Sequence, residues 1–254
     1  MVGVYVGSTA GYSGKNLIAM SLGLKFQKEG LNVGYMKPVG AVPRRTGDKV
    51  GDEDAFFVQE VLGLDQDPEL VTPVLVTRDF TVKAFTTGCG DLISSISQAF
   101  AKLSAGKDVM IVQGSGTYLG SGTYCGVEGS RVVKALGLKA VLVDRYQKEL
   151  HYDYVLRAQA ASGDDLAGVI FNDVPEAYME EAKGLIQPFL ERQGVHILGI
   201  IPSDPLMGAI KVADLAERLN GKLISAQTKG EGLVVNFLIG TMQVENFLTH
   251  FQRH

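Results

Sequence analysis

Three features of this sequence predict an α/β fold of the doubly wound kind, a parallel sheet covered by helices on both faces. Short β-branched runs alternate with longer mixed stretches through most of the 254 residues. The runs are apolar almost continuously rather than in alternation, as strands buried on both faces must be. The first run also leads through a glycine-rich turn directly into a helix-forming segment, the junction at which such sheets bind anions.

Strands are expected at 2–7 (VGVYVG), 31–37 (LNVGYMK), 108–114 (DVMIVQG), 139–144 (KAVLVD), 166–172 (LAGVIFN) and 195–201 (VHILGII). Helices fit between them at 15–29, 52–62, 91–105, 127–136, 152–161 and 176–192, where apolar and charged residues mix. Gly30 just past one helix and Pro175 at the start of another are ordinary boundary signals. Ligands of such a sheet lie beyond the carboxyl ends of its strands. The residues to inspect are therefore Gly7, Lys37, Gln113, Asp144, Asn172 and Pro202.

The main domain is expected over 1–218, with 219–254 as a short C-terminal appendage. GKLISAQTKGEGLVVNFLIG offers two short strands and a polar turn, and Val244, Phe247, Leu248 and Phe251 share one helical face that needs a partner. That partner is the main domain, a downstream domain or a second copy in a homodimer.

With 46% hydrophobic and 20% charged residues and no apolar run long enough for a membrane span, the composition is that of a soluble globular chain. A net charge of −4 gives nucleic acid and anionic membranes no electrostatic reward, so a small molecule is the default partner. The apolar strand begins at residue 2 without a basic leader, which points to a cytoplasmic location. Cys89 and Cys125 are too few and too isolated for a disulfide framework or a metal knuckle, and reduced thiols are expected.

The chemistry concentrates in GSTAGYSGKN, residues 7–16. A phosphate-cradling P-loop needs a strand, a glycine-rich turn, a lysine as point charge, a hydroxyl for magnesium and a helix whose first amides face the phosphate. Gly11, Tyr12, Ser13, Gly14 and Lys15 supply the turn and the lysine. The strict spacing asks for glycine where Thr9 stands and for Ser or Thr where Asn16 stands. Phosphate binding survives the first departure more easily than magnesium binding survives the second.

GYSGKN, YMKPVG, GDEDAFF, PVLVT, VQGSGTYLG, GVIFNDVPE and LGIIPSDPLM follow in an order that resembles the dethiobiotin synthetase-like P-loop family. The closest likeness is to the branch found at the N-terminus of phosphate acetyltransferases and in DRTGG-domain proteins. The likeness to cobyrinic acid a,c-diamide synthases is weaker. The likeness to the phosphate acetyltransferase branch covers residues 1 to about 218, and the tail resembles the start of a DRTGG domain, which would make the chain a fragment or a shortened member.

The resemblance implies ATP or another adenine nucleotide as ligand. It places Lys15 on the β- and γ-phosphates and Lys37 near the reacting groups, gives Asp54 a magnesium-holding role with Asp52 as a second candidate, sets Asn172 to read adenine, and puts Pro202 with SDPLM in the loop over the base. Where the synthetases carry a magnesium-binding glutamate this chain has Gln113. Asn16 and Gln113 are thus neutral members of a metal set whose one clear anion is Asp54, which argues against efficient phosphoryl transfer. The leading expectation is a regulatory nucleotide-binding module. The alternative is an ATP-dependent, carboxylate-activating ligase in which Lys15 and Lys37 are catalytic.

Overall fold

The computed structural model describes residues 1–146, 152–235, 241 and 243. It divides into two compact units, residues 1–203 and 204–254. The larger unit carries the expected α/β architecture. Its strands and helices run β1 (Val2–Ser8), α1 (Lys15–Lys28), β2 (Val33–Met36), β3 (Val39–Gly40), β4 (Pro43–Thr46), β5 (Lys49–Asp52), α2 (Glu53–Val61), α3 (Pro68–Val71), β6 (Val74–Leu75), α4 (Arg78–Thr87) and α5 (Leu92–Ser104). Then follow β7 (Val109–Gln113), α6 (Gly129–Leu136), β8 (Lys139–Arg145), α7 (Asp153–Ser162), β9 (Leu166–Val174), α8 (Met179–Glu181), α9 (Gln187–Arg192) and β10 (Ile197–Pro202).

Six strands form one parallel sheet in the order β10-β9-β8-β1-β7-β2. All five residues of β7 and all four of β2 are buried, which is why their sequences show no alternation. β1 lies between β7, reached after the excursion to the sheet edge, and β8, where the chain sets off toward the other edge. That reversal opens a crevice at the carboxyl end of β1. The core runs through Tyr35, Met36, Met110, Ile111, Leu142 and Phe171, all nearly or wholly inaccessible. Gly23 lets α1 approach the end of α2, since a Cβ there would lie 2.6 Å from a methyl of Leu62.

All six expected helices are present, five of them with ends shifted by no more than two residues. The last is broken into α8, a π-helical stretch Ala182–Ile186 and α9. The β4–β5 hairpin, the β3–β6 pair and α4 were not foreseen. Arg44, Arg45 and Lys49 lie on that hairpin, where their side chains are exposed.

The smaller unit holds β11 (Ile210–Lys211), α10 (Val212–Arg218) and β12 (Leu233–Val234). Two short strands were expected within 221–240, and the described residues there form one, Leu233–Val234. Leu233–Val234 pairs instead with Ile210–Lys211, and the Val212 and Ala213 amides donate to Gly232 and Gly230, which closes the turn around α10. The apolar helical face expected at 244–251 lies outside the described residues.

The cysteines correct the sequence reading. Cys89 follows α4 and Cys125 ends the glycine-rich segment after β7, and a disulfide joins them across a Cα separation of 5.4 Å. Folding brings together two cysteines 36 residues apart that had been expected to stay reduced.

Candidate nucleotide site

The turn between β1 and α1 is a formed cradle. Gly14 caps α1 at φ +100°, a left-handed conformation that glycine adopts without steric cost. A Cβ at that position would also run into the Asn172 amide. The first turn of α1 carries no acidic residue, so its positive end is unopposed. Ser13 donates to the Ala10 carbonyl at 3.0 Å, and the Ser8 hydroxyl lies 2.7 Å from Ala10 O and 3.1 Å from Gly116 O. Tyr12 takes φ +57° and is almost fully exposed at the tip beside Gly11.

Lys15 reaches back over the turn to donate to Ser8 Oγ at 2.8 Å. Burial, then the charge of Lys37, lowers its pKa, with Asp54 opposing. The negative charge of an incoming phosphate would offset both the cost of burial and the repulsion from Lys37.

On the β2–β7 side the functional candidates form one chain of contacts. Lys37, 3% exposed, pairs with Asp52 at 2.6 Å and Asp54 at 2.7 Å. Asp54 accepts from Asn16 Nδ2 at 2.9 Å, and Gln113 Nε2 donates to Asn16 Oδ1 at 2.6 Å. The Gln113 oxygen accepts from Tyr35 OH at 3.0 Å. Burial raises the pKa of Asp54, but the hydrogen bond and charge of Lys37, aided by Asn16, bring it below the ordinary carboxylate range.

Asp52 does not serve as the second magnesium candidate that the sequence suggested. It is fully buried, caps α2 through the Ala55 amide at 3.1 Å, accepts from the Val42 amide at 3.0 Å and holds Lys37. Among the described residues no three His, Cys, Asp or Glu side chains are grouped to hold a metal. With Asp54 engaged by Lys37 and Asn16, and Asn16 and Gln113 bonded to each other, the donor set does not fit a magnesium ion held by the protein itself.

The β8–β9 side is organised differently. Thr9 donates to the Asp144 carboxylate, and burial, only partly offset by that bond, pushes the Asp144 pKa up to about 6. Asn172, expected to read adenine, donates from Nδ2 to the Ser13 carbonyl at 2.9 Å, which buttresses the cradle. Its neighbour Asp173 sits at φ +59°, held by Arg145 at 2.5 Å and Ser203 at 2.7 Å. Pro202 closes β10 at the sheet edge, paired in register with Val174.

Lys15, Asn16, Lys37, Asp54 and Gln113 are thus brought together by folding, while Asn172 joins the loop from the other flank. Ser8, Thr9 and Tyr35 were missed as site residues. Asp144 had been marked only as a strand end, and its partnership with Thr9, the residue standing in place of a loop glycine, had no signal in the sequence.

A parallel sheet whose central strand runs into this lysine-bearing cradle defines a P-loop nucleotide-binding module. The chain belongs to the family described as AAA domain, whose model matches residues 2–211. It is 26% identical over 215 residues to an ATP-dependent dethiobiotin synthetase of Methanocaldococcus jannaschii, covering 79% of this chain and 94% of that protein. It is also 26% identical over 227 residues to a phosphate acetyltransferase of Pseudomonas putida, covering 84% of this chain but 31% of the acetyltransferase. Among solved structures, the 54 kDa signal recognition particle protein of Aeropyrum pernix K1 in complex with GDP aligns with 80% of this chain and 42% of that one, at a TM-score of 0.51 and 15% identity. That likeness is one of fold. The domain is dethiobiotin synthetase-like and akin to the N-terminal region of phosphate acetyltransferases.

Proposed function

We propose that the chain is a regulatory module that binds an adenine nucleotide through the Lys15 cradle and does not turn it over efficiently. The observation that carries this reading is the Asn16–Gln113 hydrogen bond, flanked by an Asp54 carboxylate already committed to Lys37. Groups that would have to meet magnesium satisfy one another, whereas the phosphate side of the loop, with Lys15 partly desolvated, stands ready for an anion. A homodimer or a downstream domain would receive the signal through the C-terminal segment.

Calorimetry with ATP, with and without magnesium, on the wild type and on Lys15→Ala tests this. Binding by the wild type that is indifferent to magnesium, and at least about tenfold weaker in Lys15→Ala through loss of a charge-assisted contact, is the expected result. Absence of wild-type binding would overturn it.

A second reading, an ATP-dependent, carboxylate-activating ligase, draws support from the Methanocaldococcus jannaschii synthetase, 94% of whose length the chain matches. On this reading Lys37 leaves its carboxylates to meet the transferring phosphoryl group. Magnesium-dependent ATP hydrolysis that Lys15→Ala abolishes would favour it over the regulatory reading.

A further inference from the structure

The Cys89–Cys125 disulfide fastens the end of α4 to the glycine-rich segment after β7, and α4 has little else to hold it. None of the ten residues of that helix is buried. Thr77 caps its N-terminus by accepting from the Phe80 amide at 3.1 Å, and the hydroxyls of Thr81, Thr86 and Thr87 bond back to carbonyls of the same segment. Among the described residues no ion pair or side-chain hydrogen bond ties α4 to another element. A cavity of about 230 Å3 separates it from β6 and the start of α5, lined by Leu75, Phe80, Lys83, Ala84, Cys89 and Leu92. The Phe85 and Tyr124 rings, 5.8 Å apart, add a contact near the disulfide, but both are largely exposed.

The bridge itself is open to exchange. Both cysteines are half-buried, and exposed bridges are the ones that reductants reach. Gly88 and Gly90, at φ +87° and +70°, flank Cys89 with backbone that moves at little steric cost. Arg131 packs so closely on Gly126 that a Cβ there would collide with its guanidinium, which sets a positive charge beside the residue that follows Cys125. Such a charge favours the thiolate and so the departure of the Cys125 sulfur.

The first half of the glycine-rich segment is held by other means. Tyr118 is buried, and its amide donates to the Ser8 carbonyl at 2.9 Å. The Leu119 amide donates to Tyr154 OH at 2.6 Å, and the Thr117 amide to Ser121 Oγ at 2.8 Å.

We propose that the Cys89–Cys125 bridge is a reversible redox strap. Closed, it pins α4 and the turn at 122–126 to the domain; opened by a dithiol reductant, it frees both while the sheet and the turn between β1 and α1 keep their structure. A thiolate of the reductant attacks Cys89 Sγ, the S–S bond breaks, and Cys125 leaves as a thiolate that takes up a proton. The second thiol of the reductant then attacks the mixed disulfide, releasing Cys89 as a thiol. The reductant ends as a disulfide, two electrons having passed to the protein. Opening returns the freedom that closure over a 36-residue separation had removed, and the sparse packing of α4 opposes it weakly.

The strap is testable without nucleotide, so its failure is separable from failure of the regulatory reading. Cys89 and Cys125 are the only cysteines, which makes a thiol count unambiguous. The air-oxidised, desalted chain should show no free thiol even when denatured, and two after dithiothreitol. Hydrogen exchange read by mass spectrometry would compare the oxidised chain with the dithiothreitol-treated chain, Cys89→Ser and Cys125→Ser; the treated wild type needs no substitution to fold. The expected result is exchange at 78–88 and 122–126 at least about tenfold faster in the open forms. Exchange within β1, β7 and 117–121 stays unchanged, and reoxidation restores the slow rates. Free thiols in the oxidised chain, unchanged exchange at 78–88 after reduction, or faster exchange spread through the sheet would each overturn the proposal.

Discussion

The two flanks of the P-loop solve the same problem with opposite chemistry. On the β2–β7 side the loop leans on charge, with a nearly inaccessible lysine between two aspartates and two amides closing the chain of contacts. On the β8–β9 side it leans on hydrogen bonds to the turn itself, Thr9 to a carboxylate displaced toward its neutral form and Asn172 to a backbone carbonyl. The charged flank is the one that the proposed function sets against a terminal phosphate, and the other braces the turn. Lys37 and Asp52 are buried with dense compensating partners, because an uncompensated buried charge is far costlier than an unmade neutral bond.

Substitutions that separate the flanks should therefore differ in size. Lys37→Met strands the fully buried Asp52 without a counter-charge and is expected to cost about 3–5 kcal/mol in urea unfolding, the scale for breaking a buried pair from one side. A loss under about 1 kcal/mol would show that Asp52 rests on its two amide donors alone.

Next in size is the pH response of the opposite flank. Asp144 has a folded pKa raised to about 6 from 3.8, so the native state holds its proton where the unfolded chain has released it. Stability contributed by Asp144 is present below the unfolded value and is lost as pH rises through the folded one, a window of about pH 4 to 6 worth about 2–3 kcal/mol. Asp144→Asn should flatten that slope in melting curves taken across the window while keeping an acceptor for Thr9. Asp54, with its pKa lowered, has the opposite sign: its contribution is present above its unfolded pKa and fades as pH falls through the folded one.

Smaller effects sharpen the picture. Asn172→Ala removes one bond to Ser13 and should cost about 1 kcal/mol in stability, with a larger loss in nucleotide affinity as the cradle loosens. Arg145→Ala, at a half-exposed pair with Asp173, should change stability by less than about 1 kcal/mol. A larger loss there would mean that the left-handed backbone of Asp173 depends on the clamp.

Much of the fold was legible in the sequence because strands buried on both faces, as β2 and β7 are, must be apolar throughout, while β10 reads as an apolar run although none of its residues is buried. The hairpin Pro43–Thr46/Lys49–Asp52 and helix Arg78–Thr87 were not, since the exposed PRRT run has no apolar pattern and the helix buries none of its residues. The site was half legible. Lys15 and the turn could be read directly, but the roles of Lys37 and Asp52 turned on burial, which no spacing reveals.

By itself, then, the sequence determined the parallel sheet, the cradle after its first strand and the neutral character of Asn16 and Gln113, because periodicity, local turn chemistry and residue type are properties of neighbours along the chain. Only the tertiary structure decided that Cys89 meets Cys125, that Asp52 is spent on Lys37 and a helix cap, and that Asn172 turns to the loop. Each of these depends on contacts between distant segments, and on a desolvation that exists only once the sheet and its helices have closed around them.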